Sequence, residues 1–266
     1  MGQTYRLPSL FARISDSGPD RPAAGVSLVN SAPGRRNGNL ESDSNGTTVG
    51  DSVETLAEIM ARVMRERQAD ALTEERAAVR AALADEVRGL IEATVFTGVD
   101  DAEIDAVRAE VAALTARLSA VRRSTPPTSV DGLYGLDSQI ANPVSGALNP
   151  VAPPVRIETL PGGGAYAEFT LSHVYEGPPH MVHGGVSALI LDQLLGLAAA
   201  ANGTPGMTAT LSLTYRRPTL LGVPLRAEAR VARVEGRKRF VDAQVLDPDG
   251  KVTIEATAMF VQPRVG

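Results

Sequence analysis

The sequence contains no cysteine and no tryptophan, and only 4% of its 266 residues are aromatic. Without thiols there is no disulfide, no thiolate metal site and no cysteine nucleophile. A chain this short of aromatic side chains has to build its core from Ala, Val, Leu and Ile. Histidine is scarce too: His173, His180 and His183 are the whole set. That is too few for a histidine-rich metal centre, so neither a metal nor another cofactor is expected. Positive charge is not in excess, and the formal net charge is −5. This argues against nucleic-acid binding, which needs a basic surface to displace counterions from phosphates. The first residues lack the charged-then-apolar pattern of a secretory signal. Arg6 stands where a myristoylation motif needs Ser or Thr. A cytoplasmic protein is the expectation.

What is present divides the chain into four stretches. Residues 1–50 are rich in Gly, Pro, Ser, Asn and Asp. They bury too little apolar surface to offset their ordering entropy and read as a disordered tail. Residues 51–123 hold no Pro and many Ala, Leu, Glu and Arg, the composition of a helical region. Asp51-Ser52 would cap a first helix carrying Val53, Leu56, Met60 and Val63. A second is expected from Thr73 to about Phe96, and a third after Asp100 or Asp101. In the third, Ile104, Val107, Val111, Leu114, Leu118 and Val121 recur at heptad spacing. Packing on a neighbouring domain is the expectation for these helices, with a dimerising seam as the alternative. Residues 124–154, with Pro126-Pro127 and Pro153-Pro154, read as a linker.

From 155 to 262 the pattern turns to strands. Val155–Thr159 and Tyr166–Leu171 flank Gly162-Gly163-Gly164, a hairpin signal. A long apolar run follows, Val186–Ala201, and then strands at Met207–Tyr215, Pro224–Glu235, Arg239–Leu246 and Val252–Val261. In the last, Val252, Ile254, Ala256, Ala258 and Phe260 share a face. The first of these four alternates Thr208, Thr210, Ser212 and Thr214 against Ala209, Leu211, Leu213 and Tyr215. A strand pair, one apolar helix and an antiparallel meander describe an α+β hot-dog fold, a sheet wrapped around its helix. The helix is apolar almost all round and so should be buried. It is too short for a membrane span and carries Asp192 at its centre.

A carboxylate on a buried helix is unfavourable unless paired. Asp192 is either a satisfied structural group or a functional one with a raised pKa. His183-Gly184-Gly185 sits where the helix begins. Two glycines allow close backbone approach, and free N–H groups at a helix start attract developing negative charge. That is what an oxyanion hole requires, although a tight loop-to-helix junction would use the same residues. Gly184 and Asp192 are eight residues apart, roughly 12 Å along a helix. If both act on one carbonyl, they come from different protomers, and a two-fold dimer with composite sites is expected.

Glu176-Gly177-Pro178-Pro179-His180-Met181-Val182-His183-Gly184-Gly185, followed by Leu191-Asp192-Gln193 and Gly196, resembles the hot-dog acyl-CoA thioesterases of the PaaI-type group. It is most similar to the actinobacterial branch with a Gly-Pro-Pro-Gly element before His-Gly-Gly. Asn149–Pro154, Tyr215–Thr219 and Glu235–Lys238 belong to the same resemblance, which covers about 145–262. It implies hydrolysis of an acyl-coenzyme A thioester, with Asp192 as the catalytic carboxylate and the Gly184 N–H, helped by Gly185, polarising the carbonyl. It also implies a homodimer or dimer of dimers and no metal. His183 would orient the loop. The chain departs from the family in three places. Gly177 replaces an oxyanion-assisting Asn, His180 replaces a Gly, and Gln193 replaces a Glu. Gly177, His180 and Glu176 would lie against substrate or merely fill the loop. Arg237 and Lys238 are candidates for the coenzyme A phosphates, against solvated turn charge as the plainer reading. A non-catalytic acyl-binding or protein-interaction module of the same fold is the alternative to an enzyme. A hot-dog hydratase would use a differently spaced Asp/His pair, and no His follows Asp192.

Overall fold

The structure, a computed structural model, describes residues 56–69, 71–130, 139–160, 162–203 and 205–262. The stretch 1–50, with the cap expected at Asp51-Ser52 and Val53, lies outside the described residues.

Three helices come first: α1 (Leu56–Ala69), α2 (Glu74–Phe96) and α3 (Asp101–Ser119). Thr73 precedes α2 in an extended conformation, and the Asp100 side chain caps α3 by accepting the Glu103 N–H at 3.0 Å. Gly98 and Val99 lie in the break between α2 and α3. Arg88 ties α2 to the segment that follows α3. Arg88 donates to the carbonyls of Ala152 (3.2 Å), Ala147 (3.2 Å) and Asn149 (2.8 Å). The segment that receives it, 139–155, is therefore not a free linker. It folds into successive turns, Asn142 Oδ1 accepts from the N–H groups of Val144 and Ser145, and Val144 and Val155 are buried in the main core. Its prolines and asparagines shape turns whose carbonyls one guanidinium satisfies. The expectation that all the helices pack on a neighbour also needs correction. No residue of α3 is buried, and its apolar seam faces outward.

Beyond these turns lie β1 (Ile157–Leu160), β2 (Gly164–Phe169), a 3₁₀ turn at His173–Tyr175, α4 (Gly184–Ala201), β3 (Met207–Tyr215), β4 (Leu225–Glu235), β5 (Lys238–Leu246) and β6 (Val252–Val261). The strands form one antiparallel six-stranded sheet in the order β1-β2-β4-β5-β6-β3, with β1 and β3 at its edges. Gly162 and Gly163 turn the β1–β2 hairpin at φ +89° and +93°, which an L side chain rarely adopts. The sheet curls around α4, the hot-dog arrangement. Leu191, Leu194, Leu195 and Ala198 of the helix meet Val241, Ile254, Ala256 and Phe260 of the sheet in a core with little aromatic content.

The sheet covers only part of α4. Gly185 is exposed, Leu189 is 40% exposed, and Asp192 and Gly196 are partly covered. A helix expected to be buried on every side therefore keeps one stripe open, at spacings of four, three and four residues. Among the described residues, the six-stranded sheet leaves this stripe uncovered.

Candidate active site

The loop Glu176–His183 leads into α4 through a tight pack. Its ends are tied by Gly177 N–H to Met181 O (3.0 Å) and His183 N–H to Tyr175 O (2.9 Å). A Cβ on Gly177 would fall 2.7 Å from the His183 Cα. The side chain expected there in relatives has no room, so Gly177 serves the approach of the loop to His183. His180 takes φ +62°, the left-handed region where a glycine is unstrained. The Glu176 carboxylate holds its N–H at 2.5 Å, and the Leu221 N–H donates to its carbonyl at 3.1 Å. The tie goes to the backbone, so a non-glycine residue is kept in this conformation regardless of its side chain.

His183 is the N-cap of α4, and its Nδ1 accepts the Gly185 N–H at 3.0 Å. The Gly185 amide is thereby committed and is not available as the second donor expected of it. The first N–H of the helix, on Gly184, has no intrahelical acceptor. Gly184 lines an open cleft of about 460 Å³ together with Pro178, Met181, Ser187, Tyr215 and Arg217. Tyr215, at the end of β3, donates its hydroxyl to the Gly184 carbonyl at 2.8 Å, and a Cβ on Gly184 would lie 3.1 Å from that oxygen. The first residue of α4 is thus clamped by His183 on one side and Tyr215 on the other.

Asp192 sits two turns further along α4 and does not reach this cleft. Its Oδ1 accepts from the Thr208 hydroxyl at 3.0 Å. Burial pushes its carboxyl above the ordinary value of 3.8, and the Thr208 hydrogen bond pulls the other way. Beside it, Gln193 Oε1 accepts from Asn142 at 3.4 Å, while its Nε2 is buried without a partner among the described residues.

Neither Thr208 nor Tyr215 was expected in the site, and a bulge explains the first. Strict alternation sends Thr208 to the face opposite Leu211, Leu213 and Tyr215. Between Thr208 and Thr210, however, the register with β6 slips by one residue. One extra residue reverses parity, so Thr208 turns to the helix side. Nothing in the local sequence marks the bulge. Tyr215 needed only a partner, and Gly184 supplies it.

The basic candidates divide. Arg216 and Arg217 both line the cleft; Arg217 donates to Val252 O at 2.7 Å, and Arg216 pairs with Glu255 at 2.7 Å. Arg237 and Lys238 lie at the β4–β5 turn, where Arg237 donates to Gln262 O at 2.7 Å. Register runs from Lys238 through Val261 to Met207, next to Thr208. They therefore sit at the Asp192 end of the sheet, away from the Gly184 cleft of the same chain.

Comparison with known proteins bears on this arrangement. The family profile of the thioesterase superfamily matches residues 180–254. Acyl-coenzyme A thioesterase THEM4 of Xenopus laevis is 36% identical over 88 residues, 33% of this chain and 40% of that protein. The Mus musculus protein of the same name is 38% identical over 88 residues, 33% of this chain and 38% of that protein. The chain thus matches about two fifths of the length of these curated relatives. A solved structure described as a thioesterase superfamily protein is 35% identical, with a TM-score of 0.64, over 69% of this chain and 90% of that one. The chain belongs to the thioesterase superfamily.

Proposed function

We propose that the protein hydrolyses acyl-coenzyme A thioesters at a site shared by two copies of the chain, as a member of the PaaI-type group within the superfamily. The observation that carries this reading is the layout of the two half-sites along one edge strand. The Gly184 cleft meets the Tyr215 end of β3, and the Asp192–Thr208 pair meets the other end. Among the described residues β3 is an edge with no strand on its outer side, a template for another strand. Antiparallel pairing of β3 with its copy about a two-fold axis brings the Tyr215 end of one chain to the Thr208 end of the other. Each Gly184 cleft then faces the partner's Asp192, and the open stripe of α4 is covered in the same step.

In that site the thioester carbonyl oxygen is held by the Gly184 N–H, at the positive end of the helix dipole. Partial burial raises the proton affinity of Asp192, which suits a carboxylate that must take a proton from water. Water adds to the carbonyl, the carbon–sulfur bond breaks, and the thiolate leaves with a proton returned from Asp192. Direct attack by the carboxylate uses the same groups and passes through an anhydride. A single turnover in ¹⁸O-water gives the signature of the anhydride when the acid leaves unlabelled and label is retained on Asp192, water having opened the anhydride at the Asp192 carbon. Label in the acid with none on Asp192 is what direct water attack gives. Arg216 and Arg217, which line the cleft, and Arg237 with Lys238, across the shared edge, are the candidate partners for the coenzyme A phosphates.

The names of the two curated relatives, both acyl-coenzyme A thioesterases, support the substrate class. The decisive experiment is thiol release from a panel of acyl-coenzyme A esters, with Asp192→Asn beside the wild type. The reading predicts turnover by the wild type and a loss of about 10²–10⁴-fold in the variant, the usual span for a positioned acid–base group. Absence of turnover on every ester, or full activity in the variant, would falsify it.

A further inference from the structure

The helix α3 presents an apolar seam that no described residue covers. Ile104, Val107, Leu114 and Leu118 are 42%, 40%, 49% and 59% exposed, with Val111 between them. We propose that this seam docks on the α3 of a second copy of the chain, with the two helices antiparallel. The charges beside the seam select the occupant and its direction. Taking Ile104, Val111 and Leu118 as a positions and Val107 and Leu114 as d positions, Glu103, Glu110 and Arg117 fall at g, and Arg108 and Thr115 at e. In an antiparallel pair Val107 lies opposite Leu118 of the copy, and Val111 opposite Leu114. Glu110 then faces Arg117 across the seam, twice by symmetry, and no like charges meet. In a parallel, in-register pair Glu110 meets only Thr115, and Arg117 has no acidic residue of α3 opposite it, because the helix ends at Ser119. Arg108, the cation that a parallel pair would use against Glu103, is already engaged by Asp105 at 3.2 Å. An antiparallel pair is also isologous, so one copy saturates the seam of the other.

Because the chain has no cysteine, introduced thiols report this contact directly and without reference to catalysis. Full-length Val107→Cys and Leu118→Cys chains are purified separately, mixed and oxidised. A disulfide needs Cα atoms within about 7 Å, and positions 107 and 118 are roughly 16 Å apart along one helix. The mixture is expected to yield disulfide dimers at least tenfold faster than either variant alone. Adding Arg117→Glu lowers that yield several-fold, and adding Glu110→Arg with it restores the yield. Homodimers of Val107→Cys forming as fast as the mixture indicate a parallel pair and overturn the proposal. A rise in yield with Arg117→Glu alone also overturns it, since that variant removes the Glu110–Arg117 contact. Cross-links that appear only after residues 1–55 are deleted overturn it in favour of the chain's own N-terminal stretch as the occupant. No cross-link in either form overturns it in favour of a foreign partner or none.

Discussion

Asp192 stands between two opposing influences: burial raises its proton affinity and the Thr208 hydroxyl lowers it. Each can be read in a pH profile. Removing the hydroxyl with Thr208→Val leaves burial unopposed, so the acid limb of kcat/KM is expected to move to higher pH. The accompanying loss in rate is about tenfold, from one hydrogen bond to a charged group at ~1.5 kcal/mol. An unmoved acid limb would separate Thr208 from the ionisation of Asp192. The same burial has a consequence for stability. The folded pKa of Asp192 lies above the ordinary 3.8. In the window between the two values the folded chain keeps a proton that the unfolded chain has lost. Stability therefore falls as pH rises through that window and stays lower above it. Asp192→Asn removes this penalty while leaving an acceptor for Thr208. The variant is expected to unfold at the same or a higher urea midpoint than the wild type at neutral pH, even as its activity collapses.

At the scale of elements, the start of α4 carries the largest local demands. The His183 cap on Gly185 has the strength of an N-terminal cap, so His183→Ala should destabilise the protein by about 1 kcal/mol. Chemical denaturation measures this, and His183→Asn, which keeps a side-chain acceptor, should recover most of it. Gly184 is tested by proline. His183, at φ −59° and ψ 131°, already has the extended conformation that a following proline demands, and the first position of a helix accepts proline well. Gly184→Pro thus deletes one N–H at a position where the helix accepts proline, and its Cβ, 3.1 Å from the Tyr215 hydroxyl, asks that side chain to shift by a few tenths of an ångström. Loss of kcat with an intact circular dichroism spectrum is the expected result. Elsewhere, α2 depends on Arg88. Arg88→Ala strips three carbonyls of a charged donor, and a loss of roughly 2–3 kcal/mol is expected in the same denaturation measurement.

For the whole molecule, the question is whether one chain contains a complete site. Asp192→Asn and Gly184→Pro disable different halves. If sites are shared, a mixed dimer has one site with both defects and one with neither. Random reassociation of equal amounts makes half the dimers mixed, so about a quarter of wild-type activity should return from two inactive proteins. No recovery after verified subunit exchange would place both groups in one chain's site and remove the argument from β3.

The elements were legible where periodicity speaks for itself. Met207–Tyr215 and Val252–Val261 start and stop where polar–apolar alternation does; β6 keeps one face on the core, while β3 does so only beyond its bulge, through Leu211 and Leu213. The span of α4 differed only at its start, where two glycines hid a first turn that His183 caps. The strand pair shifted by two residues, since Val155 and Leu171 are core residues that lie outside the ladder. Tertiary structure alone decided the rest. A bulge invisible to local pattern turned Thr208 onto Asp192. The His183 ring took the Gly185 amide, Arg88 gathered carbonyls some sixty residues away, and a sheet of six strands stopped short of enclosing its helix. Residue type and spacing determine which groups an element carries and which face they share. Which of those groups meet depends on register, on cover and on contacts distant in the chain, and these exist only once the sheet has closed around α4.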